Sequence, residues 1–297
     1  MRKSALIPVV VLGIALGTAV IATQTTLLQP AYDRFFGDSA SAGAGNDAAQ
    51  GAGAKPNSGT GQTAGAPAKG NPPAKPASAA GRSELQQFLY DNAASRTTVT
   101  RSGVAYVTNP TSVLVLVNKK RELDPGYVPP DLEKAPVEFS FSGDSPKQQM
   151  RKVAAEALGK LFAGAKQDGV ELKAVSGYRS YASQKSIFNA YARTHGEEEA
   201  NTFSAHPGQS EHQTGLAMDV SSASVHYGLE ESYGETKEGK WLKEHAAEYG
   251  FIIRFEKGKE QETGYMYEPW HVRYVGVSVA KDVHKLGLTL EAYLARF

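Results

Sequence analysis

SEHQTGLAMDV, residues 210–220, decides how this chain folds. From Gly215 onward Leu216, Met218 and Val220 alternate with Ala217 and Asp219, the period of a strand, so a carboxylate stands on a face otherwise kept small. Small neighbours leave room for a metal, and His212 lies just upstream with six residues between it and Asp219. EPWHVRY, residues 268–274, supplies a second histidine, His271, and Glu268 three positions before it. On an ideal strand residues three apart face opposite ways. Pro269 disfavours central-strand pairing, so Glu268 is expected in the turn before the strand.

His212, Asp219 and His271 form a set of two neutral histidines and one carboxylate. Three protein ligands with an open fourth position are the pattern of catalytic zinc. Zinc brings a water in that position toward a pKa of about 7, and a carboxylate outside the ligand set can take its proton and pass it to a leaving amine. Glu268 fits that role. The chain contains no cysteine, which excludes disulfides, thiolate nucleophiles, Cys-based zinc sites and a lipidated cysteine anchor. Any metal must therefore be held by histidine and carboxylate.

SGYRSYASQ, residues 176–184, runs from the end of a strand into the start of a helix. Arg179 at that edge can present its donors to a carboxylate or an oxyanion, with Gln184 one turn past Ser180 on the same side. Around these stretches the punctuation is regular. SELQQFLYDN (residues 83–92) predicts a short helix, and strands are expected over residues 97–106 and in VLVLVNKK (residues 113–120). Asp124-Pro125-Gly126 is a turn. Met150, Val153, Ala154, Leu158, Leu161 and Phe162 give a helix over residues 148–166, ended by Gly169. VELKAVSG is a strand, and Ser180 caps a helix carrying Ile187, Phe188 and Tyr191 to Gly196. Another helix, with Trp241, Leu242, Ala246 and Tyr249, ends at Gly250. FIIRF and WHVRY are strands, and short helices broken at Gly287 close the chain. Helices and strands segregate without repeated βαβ crossovers, so the expected fold is α+β, a small antiparallel sheet flanked by helices.

The amino end differs in kind. Arg2 and Lys3 precede 19 uncharged residues, 5–23, long enough to span a bilayer with the bulk of the chain outside; Val20-Ile21-Ala22 also reads as a weak cleavage site, which would make the protein secreted. Residues 37–82 hold no Leu, Ile, Val, Phe, Tyr, Trp or Met and are expected to be a disordered tether. The organisation is thus an anchor and flank at 1–36, a linker at 37–82 and a catalytic domain at 83–297. A net charge of +1, from 32 Lys+Arg and 31 Asp+Glu, argues against nucleic acid as a partner.

Taken together, SGYRSYASQ, the S-x-H-x-x-G-x-A-x-D pattern of Ser210, His212, Gly215, Ala217 and Asp219, and the E-x-x-H pattern of Glu268 and His271 resemble the VanY-type D-alanyl-D-alanine carboxypeptidases over residues 113–274. NKKRELDPGYVPPDL, around Tyr127 and Pro129, adds to the likeness. The resemblance implies a hedgehog-like peptidase fold, one zinc on His212, Asp219 and His271, and Glu268 as base. It also implies that Arg179 holds the substrate carboxylate or oxyanion, assisted by Ser210 and Gln184, with Tyr127 at the substrate. The implied substrates are peptidoglycan stem peptides. The expected reaction is removal of terminal D-alanine from pentapeptide stems (D,D). The alternatives are the L,D reaction on tetrapeptide stems, an endopeptidase, and a non-catalytic wall-binding module.

Other residues are set aside. His206 reads as loop or groove lining, and His195, His226, His245 and His284 lack partner spacing. Ser210 has no G-x-S-x-G elbow to make it a nucleophile. Glu211 could orient a metal ligand or be a solvated loop carboxylate. Trp241, Tyr265 and Tyr267 read as packing.

Overall fold

The structure is a computed structural model that describes residues 82–297. The expected membrane segment and the linker up to residue 81 lie outside the described residues. Among the described residues no helix is long and apolar enough to cross a membrane.

Ser83 caps α1 (Glu84–Asp91) reciprocally: its hydroxyl accepts from the Gln86 amide at 3.2 Å, and its amide donates to the Gln86 side chain at 2.9 Å. The next segment, expected as one strand, folds back as a hairpin of β1 (Thr98–Arg101) and β2 (Val104–Val107). Ser102 and Gly103 both take positive φ, 49° and 84°, which suits a tight hairpin turn.

VLVLVNKK is not a strand. Val113–Val117 is fully buried but pairs with no ladder, because arginines claim its carbonyls: Arg273 donates to Val113 (2.9 Å) and Val115 (2.8 Å), and Arg121 to Leu116 (3.0 Å). Its β-branched content records burial, not sheet pairing. Next, β3 (Leu132–Lys134) pairs with β4 (Gln149–Arg151), which leads directly into α2 (Lys152–Gln167). This helix starts later than its apolar spacing predicts because the ladder takes residues 149–151; Met150 is accordingly buried from a strand. α2 buries Ala154, Ala155, Leu158, Leu161 and Ala165.

The remaining elements follow in the order β5 (Lys173–Ser176), α3 (Tyr181–His195), α4 (Glu197–Phe203), β6 (Ala217–Ser221), α5 (Lys237–His245), β7 (Phe251–Phe255), α6 (Glu260–Thr263), β8 (Glu268–Tyr274), α7 (Val277–Leu286) and α8 (Leu290–Leu294). Ser180 caps α3 by accepting from the Ser183 amide, and Gly196 ends it, as the sequence predicts. β5, β6, β8 and β7 form an antiparallel sheet in that spatial order, the expected architecture. Its register matters more than its size. Ser176 pairs with Asp219, and Asp219 pairs with His271, so three polar side chains stand in line across three neighbouring strands.

Gly177 follows directly on β5 and is squeezed between segments. A Cβ there would lie 2.5 Å from the Gln149 carbonyl oxygen, 2.9 Å from that of Lys147 and 2.9 Å from the Met218 methyl. Two of the three are backbone atoms and cannot swing away. Gly177→Ala is therefore expected to destabilise the domain by about 1–3 kcal/mol through overpacking. Thermal melting of the two proteins checks this; an unchanged midpoint would mean that the strand end yields without cost.

Candidate active site

The site is assembled from one turn and two strands. His212 lies in the helical turn Glu211–Thr214, which Gly215 ends with φ 68°. The turn delivers His212 to the face of β6 from which Asp219 projects, and β8 brings His271 opposite Asp219. The three are buried, and one ligand atom from each lies within 4.8 Å of the other two. Asp219 bridges both rings: Oδ2 is 3.3 Å from His212 Nε2 and Oδ1 is 3.1 Å from His271 Nδ1.

The outer nitrogen of each ring is also engaged. His212 Nδ1 faces the Gly177 carbonyl at 2.8 Å, and His271 Nε2 faces Glu211 Oε2 at 3.4 Å. An acceptor on the far side holds the proton there and leaves the inward nitrogen with its lone pair, which is how ligand histidines are tuned. Two imidazole nitrogens and a carboxylate oxygen, in a closed buried cluster with no sulfur, fit zinc.

Burial opposes charging of either ring. It dominates at His212, whose pKa is lowered. At His271 the hydrogen bonds to Asp219 and Glu211 outweigh it and lift the pKa to about 9. Burial would also raise Asp219, but the two histidines hold it below the usual carboxylate range.

Glu268 is not in a turn. It is the first residue of β8 and pairs with Phe255, although Ile253, only two residues back on β7, pairs with Val272. Four positions on β8 thus span two on β7, and this bulge between Glu268 and Val272 breaks the alternation that should have separated Glu268 from His271. Glu268 Oε2 comes within 3.8 Å of His271 Nδ1. Burial pushes its carboxyl up to about 7, with His271 and Arg179 opposing and Asp219 adding. It is the one carboxyl of the cluster raised in this way.

Arg179 joins from the β5 end. Its amide donates to the His212 carbonyl (3.2 Å), and its guanidinium donates to Ser176 Oγ (3.2 Å) and Gln184 Oε1 (3.0 Å). Both acceptors are neutral. Gln184 is fully buried and spends its amide on the Ala205 carbonyl (2.7 Å), so it acts by aiming Arg179. Ser210 opens the His212 turn without a side-chain hydrogen bond to it. Tyr127 stands apart: its hydroxyl donates to the Pro110 carbonyl (2.8 Å), and its own carbonyl accepts from Gln213 (3.2 Å). It fastens its turn to the His212 turn.

Glu211 is no solvated loop carboxylate. It is buried, accepting from Arg254 Nε (2.7 Å) and Arg273 Nη1 (2.6 Å) while it faces His271. Arg254 also makes a bidentate pair with Glu291 on α8 (2.8 and 2.6 Å). The two arginines hold the Glu211 carboxyl far below its usual range against the effect of burial. Sequence reasoning missed both, although the signal was there: FIIRF and WHVRY each carry one charge in an otherwise apolar strand, and a buried charge demands a partner. Two lysines also act on the site. Lys119 feels Glu268 and Lys147 feels Arg179 and Asp219. The residues set aside are where packing puts them. His206 packs at a tilt against Phe188 with ring centroids 4.0 Å apart, Trp241 donates to Asp168 (2.8 Å) and Tyr265 to the Gln209 carbonyl (3.0 Å).

Comparison with known proteins gives a consistent result. The family model described as VanY, D-alanyl-D-alanine carboxypeptidase, matches residues 147–277. The Bacillus subtilis (strain 168) protein YodJ, assigned as a carboxypeptidase, is 50% identical over 194 residues, covering 65% of this chain and 71% of YodJ. The solved structure of the LdcB LD-carboxypeptidase is 49% identical, with TM-score 0.64, covering 66% of this chain and 92% of that one. The vancomycin-resistance D,D-pentapeptidase VanY, solved with Zn(II), is 32% identical, with TM-score 0.51, covering 61% of this chain and 98% of that one.

Glu211→Gln removes the charge between two buried arginines. Breaking such a cluster costs about 3–5 kcal/mol, and loss of an outer partner of a ligand histidine costs roughly 10–100-fold in metal affinity. A lower melting midpoint together with weaker zinc retention against a chelator is the expected result.

Proposed function

The chain belongs to the VanY family of D-alanyl-D-alanine carboxypeptidases, and from that premise we propose that it is a zinc carboxypeptidase that removes the terminal D-alanine from peptidoglycan stem peptides. One observation carries the reading. A buried carboxyl raised to about 7, Glu268, stands beside a complete His/Asp/His set without belonging to it. A module that only bound wall peptides would have no use for that group.

Zinc, held by His212, Asp219 and His271, would supply Lewis acidity toward the scissile carbonyl and the attacking water. Glu268 takes a proton from that water as it adds to the carbonyl carbon. When the C–N bond breaks, Glu268 returns the proton to the nitrogen, which leaves as the amine of free D-alanine. Gln184 and Ser176 hold the Arg179 guanidinium at the edge of the site, where it meets the substrate carboxylate or the developing oxyanion, with the Ser210 hydroxyl alongside. Tyr127 contributes through the turn it secures.

We favour the L,D reaction, cleavage of D-alanine from an L-centred diamino acid on tetrapeptide stems. The likeness to an L,D-carboxypeptidase at 49% identity exceeds that to a D,D-pentapeptidase at 32%. The D,D reaction on pentapeptide stems, the expectation that the family resemblance implies, is the second reading, supported by the family's own description. The two differ by the handedness of one residue. Incubating the zinc-loaded protein with each stem and weighing the products separates them: loss of one alanine from the tetrapeptide alone is expected, and loss from the pentapeptide alone would reverse the choice. In the same assay Glu268→Gln should keep zinc and fold while losing about 10²–10⁴ in rate.

Residues 5–23 suit a membrane anchor with the catalytic domain on the wall side, where these substrates are. Sequencing the amino terminus of the mature protein tests this. An intact start in the membrane fraction is expected, and a new terminus at Thr23 would mean a cleaved, secreted enzyme.

A further inference from the structure

Lys147 sits on the helical turn Pro146–Gln148, which is fixed at both ends. Ser145 and Gln148 form a reciprocal cap, the Lys147 amide donates to Ser145 Oγ (3.3 Å), and its carbonyl accepts from the Gly177 amide (2.7 Å). Gly177 is the residue whose own carbonyl holds His212, and it lies two positions before Arg179. Lys147 is thus built into the wall that also presents Arg179. Its side chain is half-buried, and among the described residues it has no carboxylate at ion-pair distance. Burial and the like charge of Arg179 both work against its protonated form, with Asp219 opposing.

Lys119, the other lysine near the site, is committed: its ammonium bonds the Asn201 carbonyl and lies 4.8 Å over the Tyr265 ring. Lys147 has no such outlet. Around it, Arg179 bonds only neutral acceptors and keeps its Nε buried without a partner, and the Ser210 hydroxyl makes no hydrogen bond to its own turn. Two neighbouring cations and a hydroxyl, with spare donors and no carboxylate at ion-pair distance among the described residues, are arranged for an anion that the chain itself does not bring into contact.

We propose that Lys147 is a substrate-binding residue, pairing with a carboxylate of the stem peptide beside Arg179. This rests on the carboxypeptidase reading and adds a specificity-determining cation that the sequence motifs do not contain. The carboxylate is either the terminal one of the departing D-alanine or the side-chain one of the diamino residue before it.

Lys147→Met keeps length and apolar stem but removes the charge, and Lys147→Arg keeps the charge. On the zinc-loaded full chain, Lys147→Met should raise KM for the free tetrapeptide about 10–100-fold, with kcat within roughly threefold, while Lys147→Arg retains most of the affinity. On a peptide amidated at the partner carboxylate, wild type and Lys147→Met should be equal. Equality on the C-terminal amide assigns the terminal carboxylate, and equality on the side-chain amide assigns the other; both support the proposal. A penalty of the same size on all three peptides, or an unchanged KM, overturns it. Calorimetric binding on the Glu268→Gln background repeats the comparison without turnover. If wild type cleaves neither stem yet the charge-dependent affinity difference persists, the carboxypeptidase reading falls and the Lys147 assignment stands. If there is no difference in affinity, the assignment falls whatever the turnover.

Discussion

Much of this structure depends on one buried carboxylate. Glu211 takes hydrogen bonds from Arg254 on β7 and Arg273 on β8 and faces the outer nitrogen of His271. Arg273 has no other carboxylate within ion-pair distance among the described residues, and Arg254 shares its charge between Glu211 and Glu291, so removing Glu211 would leave the first unpaired in the interior, which is costly. Through Arg273 the cluster holds the carbonyls of Val113 and Val115, and through Arg254 it holds Glu291 near the carboxyl end of the chain. Segments remote in sequence are therefore fastened to the same point that orients a metal ligand. Stability and ligand geometry share their atoms here.

The Gly177 peptide plays the complementary part on the other side. Its carbonyl fixes His212, its amide ties in Lys147, and its missing side chain lets the backbone of residues 147–149 approach. Both histidines are thus oriented from outside by groups that a ligand count would overlook. One partner is a charged side chain and the other a peptide carbonyl, so substitution can reach the first directly and the second only through the packing around it.

The sheet, the cap at Ser180 and the helix end at Gly196 are legible because local chemistry dictates them: an apolar period, a hydroxyl before a helix, a glycine with positive φ after one. The ligand triad was legible because it is a pattern of residue types. Three other features were not. VLVLVNKK looks like a strand, but two of its carbonyls answer to Arg273, about 160 positions away. Glu268 was misplaced because a bulge cannot be read from alternation. Glu211 has two readings in the sequence because its partners, Arg254 and Arg273, are distant along the chain. In the first and third cases a long-range polar contact, and in the second a bulge in the ladder, lies beyond the reach of a local rule.

The pairing of Asp219 with His271 across β6 and β8 has one more consequence. Strand register is a discrete quantity, and a slip of one residue would turn Asp219 to the opposite face and set Met218 or Val220, neither of which can replace a carboxylate at a zinc site, against His271. An ion held by the triad therefore binds only the correctly aligned sheet and stabilises it by mass action over every slipped alternative. The cofactor would proofread the fold before it takes part in any reaction.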